Sequence, residues 1–181
     1  MAINLIATTP RGFEYEGASE LLALLREAGD ESPRIERSKV AGLLLCETGL
    51  PVFEALSKIA ELVRSDPGRV RRLQRLIPVE KVVRSELEDI ARAAQELASR
   101  IEEGATYRVT VEKRFTALSS REIIERIASG IKRKVSLERP DWVVLVEVIG
   151  GLTAISVIRP EQVLNLRRMA EEQGEAATAK G

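Results

Sequence analysis

The chain has 181 residues, 44% of them apolar, which is enough for one large core or two small ones, and its 28 basic and 28 acidic residues cancel to a formal charge of zero, arguing against a simple polyanion binder. One cysteine excludes an internal disulfide or a thiolate metal site, and the lack of histidine excludes His-based acid/base chemistry, Ser-His triads and the commonest zinc ligands. No run reaches the roughly 18 apolar residues of a membrane span, and the start, MAINLIATTP, lacks a basic region and a small-residue cleavage site, so a soluble cytoplasmic protein without a membrane partner is expected.

Ile3 to Thr8 reads as a short buried strand closed by Pro10, Arg11 and Gly12. Leu21, Leu22, Leu25 and Ala28 then share a helical face that Gly29-Asp30 stops. Arg34 to Val40 and Gly42 to Cys46 read as two strands linked near Ala41. A helix opens near Thr48 with Pro51 in its first turn, and Val52, Ala55, Leu56, Ile59, Leu62 and Val63 form its apolar stripe. The segment Leu73 to Val83, arginine-rich at its start and β-branched at its end, reads as an edge or bulged strand because it contains Pro78. Strand, helix, strand, strand, helix, strand is the ferredoxin-like order, a βαββαβ unit with one antiparallel sheet and both helices on one face.

Ser85-Glu86-Leu87-Glu88 matches a capping box and opens a helix whose core face runs from Leu87 to Ile101, with Gly104 as its stop. Tyr107 to Phe115 alternates with period two: Tyr107, Val109, Val111 and Phe115 are expected on the inward face and Arg108 and Glu112 on the other. A second capping box, Ser119 to Glu122, begins a helix that ends in Lys132-Arg133-Lys134, cations where the helix dipole favours them. Trp142 to Ile149 and Leu152 to Ile158 form a hairpin through Gly150-Gly151. The alanine- and glutamate-rich end is expected to fray. The chain is therefore read as α+β, with domains at 1–84 and 85–166, residues 85–104 as a bridging helix and 167–181 as a flexible tail.

No motif for catalysis or for a cofactor emerges. Nothing matches GxxxxGK[ST], no GxGxxG follows a strand, and the paired carboxylates Glu102-Glu103 and Glu171-Glu172 sit at a helix end or in the tail. Charge does drift along the chain, from −4 over residues 1–67 to +3 over residues 106–166, and arginine outnumbers lysine by 21 to 7. A guanidinium fork suits phosphate oxygens, although a host with an arginine-rich proteome would leave the same bias. The later cations are Arg108, Lys113, Arg114, Lys132, Arg133, Lys134 and Arg139, and a rim of this kind could hold an RNA backbone; helix capping and ordinary surface charge are the bland alternatives. With aromatic residues at only 3%, a base-stacking platform is disfavoured and recognition of duplex shape is preferred.

The run Tyr107 to Phe115, followed by Ser119-Ser120-Arg121-Glu122-Ile123-Ile124, by Val135 to Trp142 and by Val144 to Ile149, resembles a THUMP domain. Such domains carry an F-x-V-x-x-K-R strand, a helix opened by serine and glutamate, and V-D-L-x-N-P-D leading into V-x-V-E-V. This chain departs at Ser136, where the family favours aspartate, and at Arg139, where it favours asparagine. Ile6 to Glu14, Glu20-Leu21-Leu22 and Arg75 to Val83 resemble the ferredoxin-like portion of stand-alone THUMP proteins that act as adaptors for tRNA cytidine acetylation. In that family the two domains bind the acceptor end of tRNA and a separate acetyltransferase performs the reaction.

The resemblance implies a non-enzymatic tRNA-binding adaptor without cofactor or metal, since the catalytic domains of other THUMP proteins need more chain than follows Ile158. Lys113 and Arg114 are the first choices for backbone contact, then Arg108, Lys132, Arg133, Lys134 and Arg139; Asp141 is read as a turn residue. Lys113 and Arg114 are expected to be solvent-facing and dispensable for stability. Two alternatives stand beside this reading: an RNA-binding subunit for thiolation or methylation, and a protein-interaction scaffold that binds no RNA.

Overall fold

The apolar run Leu5–Thr8 forms β1, the middle strand of a five-stranded sheet in a computed structural model that describes residues 1–181. It is followed by α1 (Glu14–Glu27), β2 (Arg34–Arg37), β3 (Leu43–Glu47), α2 (Val52–Ser65) and β4 (Arg75–Pro78). The order is the expected strand, helix, strand, strand, helix, strand. β1 pairs antiparallel with both β3 and β4, in the registers Ile6 to Leu45 and Ile6 to Ile77, and β2 pairs antiparallel with β3.

α1 buries Leu21, Leu24 and Leu25, and α2 buries Ala55, Leu56, Ile59, Ala60 and Val63, against Leu5, Ala7, Leu44, Cys46 and Leu76 of the sheet. Each fully buried leucine contributes about 2 kcal/mol by area removed from water. Cys46 is part of this core, as its place in an apolar strand predicts. Asp30 ties the end of α1 to the approach to α2: its carboxylate accepts from Thr48 Oγ1 at 2.6 Å, Gly49 N at 2.9 Å and Ser32 N at 3.1 Å.

The strand expected over Leu73 to Val83 is instead two strands in two sheets. Pro78 has no N–H to continue a ladder, so β4 ends there. Glu80 then switches the chain to the second sheet: its N–H donates to Ile155 O at 3.0 Å, and its carboxylate accepts from Val157 N at 2.9 Å and Arg100 Nη2 at 2.7 Å. β5 (Lys81–Arg84) belongs to that sheet. The first unit thus ends at Pro78 rather than at residue 84, and the second unit covers Val79–Glu161.

The second unit continues with α3 (Leu87–Ala98), β6 (Thr106–Arg114), α4 (Ser120–Ala128), β7 (Lys134–Val135), β8 (Trp142–Ile149) and β9 (Leu152–Ile158). Its strand order is β5-β9-β8-β6-β7, with β6 parallel to β7 and β8 and the other pairings antiparallel. The hairpin of β8 and β9 has its expected bounds, and Gly150 takes φ +59 in the turn, a conformation glycine adopts without steric cost. Ile90, Ala91, Ala94 and Ala98 of α3 and Ile123 and Ile127 of α4 pack on Tyr107, Val144, Val146, Val148, Ile155 and Val157. α3 is therefore a structural layer of the second unit and does not bridge two domains.

Of the two expected capping boxes, only the serine half of the second forms. Ser119 caps α4 by accepting from Glu122 N at 3.3 Å, whereas Ser85 lies one residue too early, and its hydroxyl meets Thr153 Oγ1 of β9 at 2.9 Å. After β9 the chain returns to the first unit from Gln162. β10 (Leu164–Asn165) adds to β4, and α5 (Leu166–Lys180) replaces the frayed tail expected from Arg167. Asn165 caps α5 by accepting from Arg168 N at 3.0 Å, Leu166 is fully buried and Met169 packs on the first core. Alanine and glutamate are strong helix formers, so this composition supports a helix once its first turn is anchored. No helix is long and apolar enough to cross a membrane.

Candidate nucleic-acid interface

Strict alternation along β6 places Tyr107, Val109 and Val111 on the side that α3 and α4 cover, and Arg108, Glu112 and Arg114 on the other. Arg114 is not a free surface cation. Its Nη1 donates to Glu147 Oε2 at 2.8 Å and its Nη2 to Glu112 Oε2 at 3.2 Å, and the Glu147 side chain is only 1% exposed. Parallel pairing of β6 with β8 sets this up by bringing Glu112 level with Glu147. Lys113 is exposed, with Nζ donating to Leu118 O at 2.8 Å across the turn into α4. Phe115 in that turn is 74% exposed and has φ +55, the one residue other than glycine in the left-handed region.

The opposite end of the sheet holds the rest of the expected rim. Arg133 Nε donates to Ile101 O at 3.0 Å and Glu102 O at 3.2 Å, satisfying carbonyls left over beyond the end of α3. Arg108 Nη1 donates to Leu137 O at 2.9 Å and holds the segment between β7 and β8. Lys132, Lys134 and Arg139 are exposed, and their side chains make no ion pair or hydrogen bond. Lys134 is level with Thr106 at the start of β6, seven residues before Lys113, so the two groups are about 23 Å apart along the strand. The seven expected residues therefore do not form one rim: Lys132, Lys134 and Arg139 gather at one end, Lys113 stands alone at the other, and Arg108, Arg114 and Arg133 are built into the fold.

Sequence reasoning missed Arg159. It follows β9 at the same end as Lys134, with its guanidinium 3.8 Å from the centroid of the Trp142 ring and its Nη1 donating to Asp141 O at 3.2 Å. Trp142 Nε1 in turn donates to Glu102 Oε2 at 2.9 Å. The lone tryptophan beside Pro140-Asp141 was the available signal, because a half-buried indole commonly pairs with a cation.

Asp141 is a turn clamp, as its reading predicts: the carboxylate accepts from Thr106 N at 2.8 Å and Thr106 Oγ1 at 3.2 Å. Those hydrogen bonds, backbone first, hold its carboxyl below the ordinary aspartate range. Glu102 is held down likewise by its own backbone amide and then by Trp142 and Arg159. Six cations (Arg108, Lys132, Arg133, Lys134, Arg139, Arg159) and four carboxylates (Glu102, Glu103, Glu138, Asp141) leave this end with two net positive charges. Its capacity to bind a polyanion thus depends on the three uncommitted cations more than on net field. No three His, Cys, Asp or Glu side chains are grouped to hold a metal.

Residues 84–158 match the THUMP domain family model, and the chain carries a THUMP domain there. No curated protein matches the sequence. Among solved structures, the chain is similar to PH1313 from Pyrococcus horikoshii (21% identity, TM-score 0.61, covering 88% of this chain and 55% of that one). It is also similar to TrmN from Thermus thermophilus (24%, 0.57, 86% and 46%) and to a 4-thiouridine synthetase solved with RNA and ATP (16%, 0.53, 87% and 41%). The chain thus spans about half the length of these proteins or less, and at such identities the likeness is one of fold.

Proposed function

We propose that this chain binds tRNA at its acceptor-stem region and presents it to a separate modification enzyme, with a cytidine acetyltransferase as the first candidate. The observation that carries the reading is the THUMP domain at residues 84–158, and the exposed trio Lys132, Lys134 and Arg139 supplies the phosphate contacts within it. The first unit, with β1 flanked by β3 and β4 in an all-antiparallel sheet, is read as the ferredoxin-like neighbour. TrmN and the RNA-bound thiouridine synthetase support a tRNA-modification setting.

A non-enzymatic role agrees with the side chains present. The chain has no histidine, and burial, followed by Asp30 and Glu47, pushes the Cys46 thiol up to about 12, so it stays protonated and inert at neutral pH. A second reading, service to a thiolation enzyme, is favoured by the likeness to the thiouridine synthetase. Two measurements test these readings. Bulk tRNA should shift the chain in electrophoresis with an affinity that falls steeply with salt, and a pull-down from the cytoplasm of the source cell should return an acetyltransferase. Recovery of a thiolation enzyme alone selects the second reading, and absence of any salt-sensitive RNA binding overturns both in favour of a protein scaffold.

A further inference from the structure

We propose that Ser136 is a phosphorylation site through which a separate protein kinase turns off RNA binding at the cationic end of the second unit; this deepens the reading of the chain as an RNA binder and rests on it. The run Arg133-Lys134-Val135-Ser136-Leu137 sets cations three and two residues before the serine and an apolar residue directly after it. Kinases that choose basic substrates read such a pattern, because an acidic groove pairs with the cations and a small pocket takes the apolar side chain.

The fold presents this run to solvent. β7 has only two residues and lies at the edge of its sheet, and Lys134, Val135, Leu137 and Glu138 around the serine are all exposed. Beyond β7 a single bond continues the ladder, from Ser136 N to Tyr107 O at 2.9 Å. So short an edge opens at small cost and can lie extended in a kinase cleft. The Ser136 hydroxyl makes no hydrogen bond. The hydroxyls of other serines beside cations are engaged: that of Ser38, between Arg37 and Lys39, donates to Val40 O at 3.0 Å, and that of Ser129 donates to Arg126 O at 2.7 Å.

The surroundings of Ser136 suit a phosphate. Pairing of Tyr107 with Val135 in the parallel ladder puts Arg108 level with Ser136, and level residues share a face of the sheet. Arg108 Nη1 is taken by Leu137 O at 2.9 Å, but Nε is buried without a hydrogen-bond partner. A buried guanidinium donor in that state calls for an acceptor, and a phosphoserine beside it supplies three acceptor oxygens. The same group carries close to two negative charges at pH 7 and so cancels the two net positive charges of this end. Lys134 and Arg139, uncommitted and two and three residues away, then face a fixed anion in place of an RNA backbone.

In the transfer, Ser136 Oγ attacks the γ-phosphorus of a nucleoside triphosphate held by the kinase. An Oγ–P bond forms as the bond from that phosphorus to the β,γ-bridging oxygen breaks. The nucleoside diphosphate leaves, and the hydroxyl proton passes to a carboxylate of the kinase.

The test maps phosphopeptides of the full chain isolated from its own cells. It also treats the purified chain and Ser136→Ala with ATP and the catalytic subunit of cyclic-AMP-dependent protein kinase, then measures tRNA binding across a salt series. We expect phosphate on Ser136 in cells and transfer in vitro that Ser136→Ala abolishes at that peptide. The phosphorylated chain should bind tRNA about tenfold more weakly near 100 mM salt, with a slope shallower by about 2. Its Arg108 Nε–Hε NMR signal should move while its melting midpoint holds, which separates a local ion pair from loss of the fold. A chain that binds tRNA but carries no phosphate on Ser136 in cells, or binds equally well with and without it, overturns the switch and leaves the proposed function standing. No tRNA binding by the unmodified chain overturns both.

Discussion

Arg114 on β6 and Glu147 on β8 form an ion pair at 2.8 Å in which the carboxylate is 1% exposed and the guanidinium side chain 25% exposed. A carboxylate buried to that degree loses a close guanidinium when Arg114 is removed, and breaking a buried ion pair is strongly destabilising. Arg114→Ala should therefore destabilise the second unit by about 3 kcal/mol, lowering its melting midpoint by roughly 10 °C or more. Lys113→Ala, one residue earlier, should leave the midpoint within about 2 °C. Thermal unfolding of the two single variants checks this, and similar melting of both would show that the pair carries no structural role.

Asp30 supports a pH prediction. Burial raises its carboxyl pKa, but the hydrogen bonds from Thr48, Gly49 and Ser32 outweigh that effect and leave it below the ordinary value. A depressed folded-state value means that the unfolded chain takes up the proton first. The stabilisation is therefore complete above about pH 4 and is lost as pH falls through the folded-state value below that point. Asp30→Ala should cost about 2–3 kcal/mol at pH 7 by stranding three donors, and the variant should lack that part of the acid-induced loss. Denaturant titrations at pH 7 and pH 3 measure both; an unchanged difference between the two pH values would remove Asp30 from the acid response.

Much of the fold was legible because it follows from periodicity. The alternation of β6, the apolar stripe of α2 and the hairpin at Gly150-Gly151 are local patterns with a physical period. What stayed hidden was pairing at a distance. Leu73 to Val83 reads as one strand until Glu80 finds Ile155 and Val157, and the Ala/Glu-rich end reads as a tail until Leu166 and Met169 find the first core. The candidate site failed in the same way. Arg114 and Lys113 are adjacent and chemically alike in the sequence, and only the opposition of Glu112 and Glu147 across β6 and β8 shows that one is spent internally while the other is free of any carboxylate.

Gly42 and Gly104 offer a matched comparison. Both have positive φ, +79 and +87, but a Cβ on Gly42 would lie 2.6 Å from Thr9 O, whereas one on Gly104 meets nothing within 4 Å. Thr9 N also donates to Gly42 O at 2.9 Å, extending the pairing of β1 with β3, so neither backbone can retreat freely. Gly104→Ala should cost about 1 kcal/mol from backbone strain alone, and Gly42→Ala about 3 kcal/mol with the clash added. Equal shifts in denaturant midpoint would show that the approach to Thr9 is relieved at no cost.

Lys132, Lys134 and Arg139 carry the functional reading in the second unit. Because none of the three touches a carboxylate or a backbone carbonyl, replacing all of them with alanine removes charge without removing a contact within the fold. The triple variant should melt within about 2 °C of the unaltered chain. Its tRNA affinity should fall by about tenfold or more near 100 mM salt, and the slope of log affinity against log salt should become shallower by about 2, the signature of losing two to three phosphate contacts. Lys113→Ala, at the far end of β6, should change the slope by less than one contact. If the triple variant keeps the full slope while Lys113→Ala loses it, the RNA lies across the opposite end of the sheet, and the exposed turn carrying Phe115 is where it meets the protein.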